Sequence, residues 1–262
     1  MGRGPRRPRR GLRPLQHSRA RRRRARGAPR PRGRLRHAIT DLHAHLRGRT
    51  GLTDSAVELG GKTYRITHPA SVDDLLDEED FEHDERLPYW AELWPSAVAL
   101  ARYLSQQDLS GKRAIELGCG VGLPTVVALD RGARVLATDH NEAALDFAAH
   151  NARTNVGREP ETALLDWFSP RIPDGLPPFD VVLAADVLYE RRNAPALADL
   201  VPRLLSPEGE VLFADPRRPP APPFFEAMEA RGFGASAESL VVEQGGTEVT
   251  VLLHRITGPS LV

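Results

Sequence analysis

The stretch that decides the fold is RAIELGCGVGLPTVVALDRGARVLATD, residues 113–139. It begins with a short apolar run, Ala114–Leu117, which predicts a buried strand, and a turn of three glycines follows at once. Pro124 suits the first turn of a helix predicted over Thr125–Arg131, because the N–H that proline lacks has no partner there. A second strand is predicted over Arg134–Thr138, so the whole stretch forms a β-α-β unit.

The glycine turn, Gly118-Cys119-Gly120-Val121-Gly122, indicates a ligand-binding site. Glycine lets a ligand approach the backbone closely, and the start of the next helix offers unpaired N–H groups. Asp139 stands at the end of the second strand, where a carboxylate accepts hydrogen bonds from ribose hydroxyls. Together these features predict a pocket for an adenosine-containing cofactor. The alternative is an ordinary turn whose glycines serve geometry alone.

The spacing of the glycines bears on the identity of that cofactor. A dinucleotide site reads G-x-G-x-x-G, whereas this turn reads G-x-G-x-G and has Glu116 two residues before its first glycine. No G-x-x-x-x-G-K-[ST] phosphate loop occurs in the chain. The form E-L-G-C-G-V-G resembles motif I of Rossmann-like S-adenosylmethionine-dependent methyltransferases. This resemblance implies that Glu116 and the glycine turn hold S-adenosylmethionine, with the turn at its methionine end.

Composition limits the classes of protein that the chain can belong to. Its 262 residues, 40% of them hydrophobic, suffice for a sizeable core in one or two domains. No apolar run approaches the roughly 18 residues that a spanning helix needs, so no membrane partner is expected. The one cysteine, Cys119, allows no disulfide within the chain and favours a cytoplasmic location. We interpret Cys119 as a packing residue rather than a nucleophile.

The N-terminal segment, residues 1–50, is rich in Arg, Pro, Gly and Ala and has one acid, Asp41, whereas the rest of the chain is acidic. Without apolar periodicity it cannot bury enough surface to offset its ordering entropy, so it is predicted to be disordered. A nucleic-acid-binding arm, an organelle targeting peptide and an anionic-lipid contact are the competing functions. The alternative is that the natural protein starts further downstream. The Asp41-Leu-His-Ala-His45 cluster lacks further ligands nearby, and no metal site is predicted.

Residues 51–95 are expected to form a small N-terminal region ahead of a catalytic domain, residues 96–262. Two alternating runs, Ala56–Leu59 and Thr63–Thr67, flank a pair of glycines and predict a β-hairpin. The acidic segment over residues 71–86 indicates a solvated loop or short helix. A docking face for a basic partner is the alternative.

An aromatic segment, PYWAELWP at residues 88–95, stands just before the helix predicted over Ser96–Leu104. Such aromatic residues usually lie in the core, but here they can also line the pocket. With E-L-G-C-G-V-G, the segment resembles the "family 16" protein-lysine methyltransferases, whose bacterial members are often described as nicotinamide N-methyltransferases. The chain looks most similar to those that modify the electron-transfer-flavoprotein β subunit. The resemblance implies a cofactor contact from Trp94, or from Trp90 as second choice.

After a helix predicted over Asn141–Asn155, a third strand is predicted over Thr162–Trp167. The resemblance implies an acid and an aromatic residue beside the adenine of the cofactor. It therefore assigns Asp166 to the exocyclic amine and Trp167 to stacking. The alternative is a turn acid at a strand end, followed by a packing tryptophan.

The apolar run Phe179–Ala185 predicts a central parallel strand buried on both faces. Ligands bind at the carboxyl ends of such strands, so Asp186 and Tyr189 are expected in the same crevice as Asp139, with Ala185 at the cofactor. The sequence D-x-x-Y matches the D-x-x-[FY] motif that the family associates with its substrate lysine. We predict that Asp186 accepts hydrogen bonds from the acceptor amine and that Tyr189 forms a wall of the same channel.

A fifth strand, Gly209–Ala214, precedes Asp215-Pro216-Arg217-Arg218. This segment partly matches a D-P-G-R sequence of the flavoprotein-methylating members, with Arg217 in place of the glycine. Two final strands, Ser239–Glu243 and Glu248–His254, predict an antiparallel hairpin. The expected fold is α/β: a Rossmann-like, mainly parallel seven-stranded sheet with helices on both faces and a closing antiparallel hairpin, plus the small N-terminal β-hairpin.

The leading hypothesis is an S-adenosylmethionine-dependent N-methyltransferase that modifies a protein lysine, with the electron-transfer-flavoprotein β subunit as a candidate partner. A small-molecule, nicotinamide-like N-methyltransferase would share every cofactor residue, and that alternative stays open. A nucleic-acid-binding protein acting through the basic N-terminal segment is more remote. The folded part is acidic, and no Asn-Pro-Pro-Tyr-type motif follows the fourth strand. A monomer is expected.

Overall fold

The computed structural model describes residues 1, 41–76, 87–172 and 176–259. Apart from Met1, these residues belong to one unit, Gly33–Val262. The helices and strands are α1 (Leu42–Leu46), β1 (Leu52–Leu59), β2 (Lys62–Pro69), α2 (Pro95–Leu104), β3 (Arg113–Leu117), α3 (Leu123–Asp130), β4 (Arg134–Asp139), α4 (Glu142–Val156), β5 (Glu161–Leu164), β6 (Phe179–Ala185), α5 (Asn193–Leu204), β7 (Leu205–Asp215), α6 (Pro222–Ala230), β8 (Gly234–Gln244) and β9 (Thr247–Thr257). No helix in these described ranges is long and apolar enough to span a bilayer.

Seven strands form one sheet in the order β5-β4-β3-β6-β7-β9-β8. The strands from β3 to β7 are parallel, and β9 runs antiparallel between β7 and β8. The predicted mainly parallel sheet with its closing hairpin is therefore confirmed. The strand order reverses between β3 and β6, and ligands bind at such a switch point in open α/β sheets.

The central strand β6 shows why the sheet has two hydrophobic layers. Val181 and Leu183 pack into the layer that includes α2, α3 and α4, whereas Val182 and Ala184 pack into the layer of α5 and α6. All four side chains are fully buried. Burial on both faces is the reason why this strand is a continuous apolar run in the sequence.

The predicted N-terminal hairpin is present as a separate sheet of β1 and β2. Asn151 of α4 joins it to the domain, because its amide accepts the Thr67 N–H at 2.8 Å and donates to the Thr67 carbonyl at 2.9 Å. The same amide donates to the carbonyl of Val121 in the glycine turn at 2.8 Å. One side chain thus connects the hairpin to the start of the cofactor unit.

Helix α1 lies within residues 1–50, the segment predicted to be a disordered tail. Residues Leu42–Leu46 form α1, both terminal leucines are buried, and His45 Nε2 lies 2.8 Å from Asp146 Oδ2 on α4. A five-residue helix is too short to be stable alone, so these contacts with the domain explain its order. Residues 2–40 of the predicted tail and 77–86 of the acidic segment lie outside the described residues.

Several strand boundaries differ from the predicted ones; β1 and β8, for example, begin earlier than predicted, and β9 ends later. β5 ends at Leu164 rather than Trp167, because its pairing with β4 stops where Asp139 pairs with Leu164. β7 begins at Leu205, earlier than the predicted Gly209. The shorter β5 leaves Asp166 and Trp167 in the loop at the carboxyl edge of the sheet.

Candidate active site

A cavity with about 640 Å³ of empty space, partly open to solvent, lies at the carboxyl ends of the central strands. Its wall contains every predicted site residue except Asp166, namely Trp94, Glu116, Gly118, Cys119, Gly120, Gly122, Asp139, Trp167, Ala185, Asp186 and Tyr189. Tyr89, Glu92 and His140 also line it. Tyr89 belongs to the aromatic segment that was expected to line the pocket, whereas nothing in the sequence had singled out Glu92 or His140 for this role. The topology therefore brings together residues from four separate segments of the chain.

The glycine turn requires glycine for two reasons, the conformation of its backbone and the lack of space for a side chain. Gly118, Gly120 and Gly122 have φ values of 72°, 50° and 84°, in the left-handed region that other residues rarely adopt. A Cβ at Gly120 would lie 3.1 Å from the Trp90 carbonyl oxygen, and one at Gly122 would lie 2.5 Å from Ala148 Cβ. The turn therefore tolerates no side chain at either position without moving its neighbours.

Asp139 fixes the turn from the end of β4. One of its carboxylate oxygens accepts the Gly120 N–H at 3.1 Å, and the other accepts the Asn141 N–H at 2.9 Å. Burial raises the pKa of Asp139, whereas His140 and the N–H donors oppose that rise. His140 Nδ1 lies 3.3 Å from Oδ1, whereas Oδ2 accepts only the Gly120 N–H among the described contacts and keeps a lone pair for a ligand.

Glu116 is a second buried acid at the floor of the cavity. It is 1% exposed, and its carboxylate accepts a hydrogen bond from the Thr125 hydroxyl. Burial raises the pKa of Glu116 to about 8, although the bond from Thr125 acts against the rise. Burial likewise raises the pKa of Cys119 well above its ordinary value, which is consistent with a packing role for the thiol.

Trp167 lines the cavity, whereas Asp166 does not. The Asp166 side chain is exposed and accepts the Phe168 N–H at 2.9 Å, as a turn acid does. Trp167 Nε1 is buried and has no hydrogen-bond partner among the residues that the structure describes. Buried N–H groups are normally paired, so this one is available to a bound ligand or water.

Three aromatic rings form the opposite end of the cavity. The ring of Tyr89 lies 5.2 Å from the ring of Tyr189 and 6.2 Å from that of Trp94, and Trp94 Nε1 donates to the Tyr89 carbonyl at 2.8 Å. Burial raises the pKa of Tyr189 to about 12, so its hydroxyl remains protonated at neutral pH. Rings arranged in this way can surround a cationic or alkylated nitrogen.

Asp186 lines the same cavity as these rings and the glycine turn. Its φ of 57° is in the left-handed region, and such strain in a residue other than glycine is frequent at functional sites. Both of its carboxylate oxygens accept hydrogen bonds from Arg218, at 2.8 Å and 3.1 Å.

Arg218 stands at the arginine of the D-P-G-R sequence, but reasoning from the sequence gave it no role in the site. Arg217 is exposed in the structure, and Arg218 makes the contact with Asp186. The signal that could have found it is the arginine pair directly after β7, the strand beside β6.

Comparisons with known proteins bear on what this cavity does. Residues 78–231 match the model of a family described as lysine methyltransferase. The chain is 36% identical over 138 residues to protein N-lysine methyltransferase METTL21A from Danio rerio, covering 50% of this chain and 62% of that protein. It is 34% identical over 131 residues to histone-arginine methyltransferase METTL23 from Mus musculus, with coverages of 48% and 51%.

A third relative is the electron transfer flavoprotein beta subunit lysine methyltransferase from Xenopus laevis, 31% identical over 150 residues, with 50% of this chain and 53% of that protein covered. The matches thus span between 51% and 62% of the length of these relatives. Among solved structures, the N-methyltransferase NodS from Bradyrhizobium japonicum WM9, in complex with S-adenosyl-L-homocysteine, has a TM-score of 0.50 at 18% identity and covers 63% of this chain and 86% of its own.

The structural likeness agrees with the Rossmann-like methyltransferase fold that the strand order shows. The family model covers more than half of the chain, including the glycine turn, Asp139 and the D-x-x-Y motif. The resemblance predicted from E-L-G-C-G-V-G and PYWAELWP is therefore confirmed, and this chain belongs to the lysine methyltransferase family.

Proposed function

We propose that this chain transfers a methyl group from S-adenosylmethionine to the side-chain amine of a protein lysine. The observation that carries the proposal is the shared cavity. It places the glycine turn with its two buried acids, Glu116 and Asp139, beside Asp186 and Tyr189 of the D-x-x-Y motif. A cofactor end and an acceptor end within one cavity are what a methyl transfer between two bound molecules requires.

The residues at the glycine turn fit the cofactor. A Cβ at Gly118 would lie 3.1 Å from Trp167 and 3.2 Å from Val187, so only glycine leaves that part of the cavity open. Asp139 has a lone pair for a ribose hydroxyl, and the unpaired Trp167 Nε1 lines the same wall. When bound, S-adenosylmethionine supplies a methyl group on a positively charged sulfur. The buried Glu116 lines the same end of the cavity.

The acceptor end must present a nitrogen with a free lone pair. A lysine amine has an ordinary pKa near 10.4 and carries an extra proton at neutral pH. We assign Asp186 to accept a hydrogen bond from this amine and so to orient its lone pair toward the methyl group. Tyr89, Trp94 and Tyr189 would exclude water around it. The ammonium group must lose its extra proton to solvent before transfer. The nitrogen then gains a bond to carbon as the carbon–sulfur bond breaks, and the electron pair of that bond stays on sulfur.

An arginine acceptor is the second candidate, because one relative is named as a histone-arginine methyltransferase. A guanidine is planar and stays protonated at physiological pH, so it needs a flatter and more strongly acidic site than an amine. A small-molecule acceptor would use the same cofactor residues. These candidates differ in the labelled product and not in the cofactor end.

The test is incubation of the full chain with S-adenosylmethionine labelled on the methyl group and with a cell lysate. Proteins, nucleic acids and small molecules are then separated, and the labelled protein is hydrolysed to amino acids. We expect label in methylated lysine. Label in methylated arginine, in the small-molecule fraction or in nucleic acid would overturn the lysine assignment, and no label in any fraction would overturn the activity.

The first acceptor to test is the β subunit of electron transfer flavoprotein, since that protein appears in the name of a relative. Purified β subunit labelled at a lysine would identify the partner. Absence of label on it, with label on another protein in the lysate, would redirect the proposal to that protein.

A cytoplasmic location and a monomeric state of this chain, both expected from the sequence, stay predictions.

A further inference from the structure

The turn after β7 directs one arginine back toward the neighbouring strand. Asp215 is 1% exposed, and its Oδ1 accepts the N–H of Arg218 at 2.8 Å. Between them, Arg217 has a φ of 66°, a left-handed conformation that reverses the chain within two residues. The turn Asp215-Pro216-Arg217-Arg218 is therefore built to return the side chain of Arg218 to Asp186 at the end of β6.

Arg218 and Asp186 are joined by two hydrogen bonds. Arg218 Nε donates to Asp186 Oδ1 at 2.8 Å and Nη2 donates to Oδ2 at 3.1 Å, so one flat guanidinium holds both oxygens of the carboxylate. The guanidinium carbon also lies 5.7 Å from the ring centre of Trp94. Arg218 therefore contacts two residues of the cavity wall, although it is not itself part of that wall.

Exposure decides how much such a pair can matter. Exposed ion pairs contribute little to stability and rarely fix a geometry. Here the Asp186 side chain is 4% exposed and that of Arg218 is 36% exposed, so the carboxylate is withdrawn from water and relies on its protein partner. An orientation set by two parallel hydrogen bonds is also more specific than one set by charge alone.

We propose that Arg218 is a positioning residue for methyl transfer, which holds the Asp186 carboxylate so that its remaining lone pairs face the acceptor nitrogen in the cavity. This inference rests on the proposed function, because it concerns the orientation of the group assigned to the acceptor. The two hydrogen bonds from Arg218 leave one lone pair on each oxygen. The left-handed backbone conformations of Asp186 and Arg217 are then required to produce this orientation.

The neighbouring Asp215 completes the arrangement. Its Oδ1 accepts the backbone N–H of Arg218, and its Oδ2 has no hydrogen-bond partner among the described residues. Of these two acids, the guanidinium therefore binds only Asp186. Burial raises the pKa of Asp215, the nearby negative charge of Asp186 raises it further, and the positive charge of Arg218 lowers it. Loss of the guanidinium would leave two buried acids facing each other. The Asp186 carboxylate would then turn away from the direction that an acceptor needs, while the glycine turn and Asp139 would be unaffected.

The experiment compares Arg218→Gln, Arg218→Lys and, as a matched control one residue away, Arg217→Gln. Single-turnover methyl transfer is measured with enzyme in excess over the lysate proteins and with labelled S-adenosylmethionine. The observed rate against enzyme concentration gives a maximal rate and a half-saturating concentration. Affinity for S-adenosylhomocysteine and the melting temperature are measured for each variant.

For Arg218→Gln we expect the maximal rate to fall about 100-fold, since small misplacements at a reacting centre have effects of that size. The half-saturating concentration and the affinity for S-adenosylhomocysteine should change by less than about threefold. Arg218→Lys keeps the charge but loses one of the two hydrogen bonds, so its rate should lie between those of Arg218→Gln and the unaltered chain. Arg217→Gln should behave as the unaltered chain does.

Two results would overturn the positioning role. One is a maximal rate for Arg218→Gln within about threefold of the unaltered chain. The other is an equal loss of rate and of S-adenosylhomocysteine affinity, which would indicate general disruption of the cavity. Failure of the unaltered chain to transfer any label would instead overturn the proposed function, and this inference with it.

Discussion

The two ends of the cavity are built in different ways. The cofactor end, formed by Glu116, the glycine turn and Asp139, comes from one continuous stretch, and its two acids are 1% and 4% exposed. The end proposed for the acceptor is formed by Tyr89, Trp94, Asp186 and Tyr189, and Arg218 holds Asp186 from outside the wall. These residues come from three segments that are distant in the sequence. This end reaches the surface, where Tyr89 is 41% exposed.

Because of this difference, substitutions at the two ends are expected to have different effects. The cofactor end is enclosed by backbone and by buried groups, so changes there are expected to alter cofactor binding first. The acceptor end consists of side chains from loops that a protein substrate can reach. Changes there are expected to alter transfer while leaving cofactor binding intact.

Gly120→Arg should break the cofactor end and gives the largest expected effect. The new side chain would occupy a left-handed position whose Cβ would lie 3.1 Å from the Trp90 carbonyl oxygen. We expect affinity for S-adenosylhomocysteine, measured by calorimetry, to fall by more than about 100-fold. Gly111→Arg is the control, because Gly111 has a similar φ of 75° and a Cβ added there would meet nothing within 4 Å. A folded Gly120→Arg variant that binds normally would contradict the cofactor assignment.

Asp186→Asn should distinguish the roles of the two ends of the cavity. Asparagine tolerates the left-handed conformation at this position, so the substitution removes the charge with little added strain. We expect methyl transfer to fall by about 100- to 1,000-fold, while S-adenosylhomocysteine affinity changes by less than about threefold. Asp180→Asn, at the opposite end of β6, serves as the control for single-turnover assays. Equal losses of transfer and affinity would place Asp186 in the cofactor end instead.

The pH dependence of stability should reveal the burial of Glu116. Its pKa rises from an ordinary 4.5 to about 8 in the folded chain, so the folded state binds the proton more tightly than the unfolded state does. Stability from this group is therefore fully present below pH 4.5 and is lost as the pH rises through 8.

Glu116→Gln removes this contribution to the pH dependence. Between pH 5 and pH 8 the unaltered chain should lose about 2–3 kcal/mol more stability than the variant does, as measured by urea unfolding. Asp139 also has a raised pKa, and its charge contributes to the raised pKa of Glu116, so the difference between the two proteins reports Glu116 together with its effect on Asp139. Parallel pH profiles for the two proteins would show that Glu116 is more hydrated than its position indicates.

Asp166→Asn gives the smallest expected effect and tests the edge of the cofactor end. The exposed carboxylate accepts one backbone N–H in its own turn and lies outside the cavity wall. We expect S-adenosylhomocysteine affinity to change by less than about threefold, because an exposed hydrogen bond contributes little. A tenfold loss would restore the contact with the adenine that the family resemblance implied for this residue.

The sequence was sufficient for the cofactor end because that end is local. Three glycines, Glu116 and Asp139 stand at fixed spacings in a single β-α-β unit, and the strand order places that unit at the switch point of the sheet. The continuous apolar run of β6 likewise predicted a strand with hydrophobic layers on both of its faces.

The acceptor end was only partly predictable because its contacts join distant residues. Arg218 meets Asp186 across 32 positions, and the contact depends on a left-handed turn that two adjacent arginines do not signal. The order of α1 was missed for a similar reason. Leu42 and Leu46 stand in an arginine-rich segment, and only their burial in the domain core reveals the helix.

Asn151 has a consequence for how the N-terminal hairpin and the glycine turn open to solvent. Its buried amide is bonded to Thr67 in the hairpin and to Val121 in the turn, so separating either from α4 breaks the same small network. Local opening of the two should therefore be a single cooperative event. Occupancy of the cofactor end should slow the amide hydrogen exchange of Thr67, although the hairpin supplies nothing to the glycine turn itself.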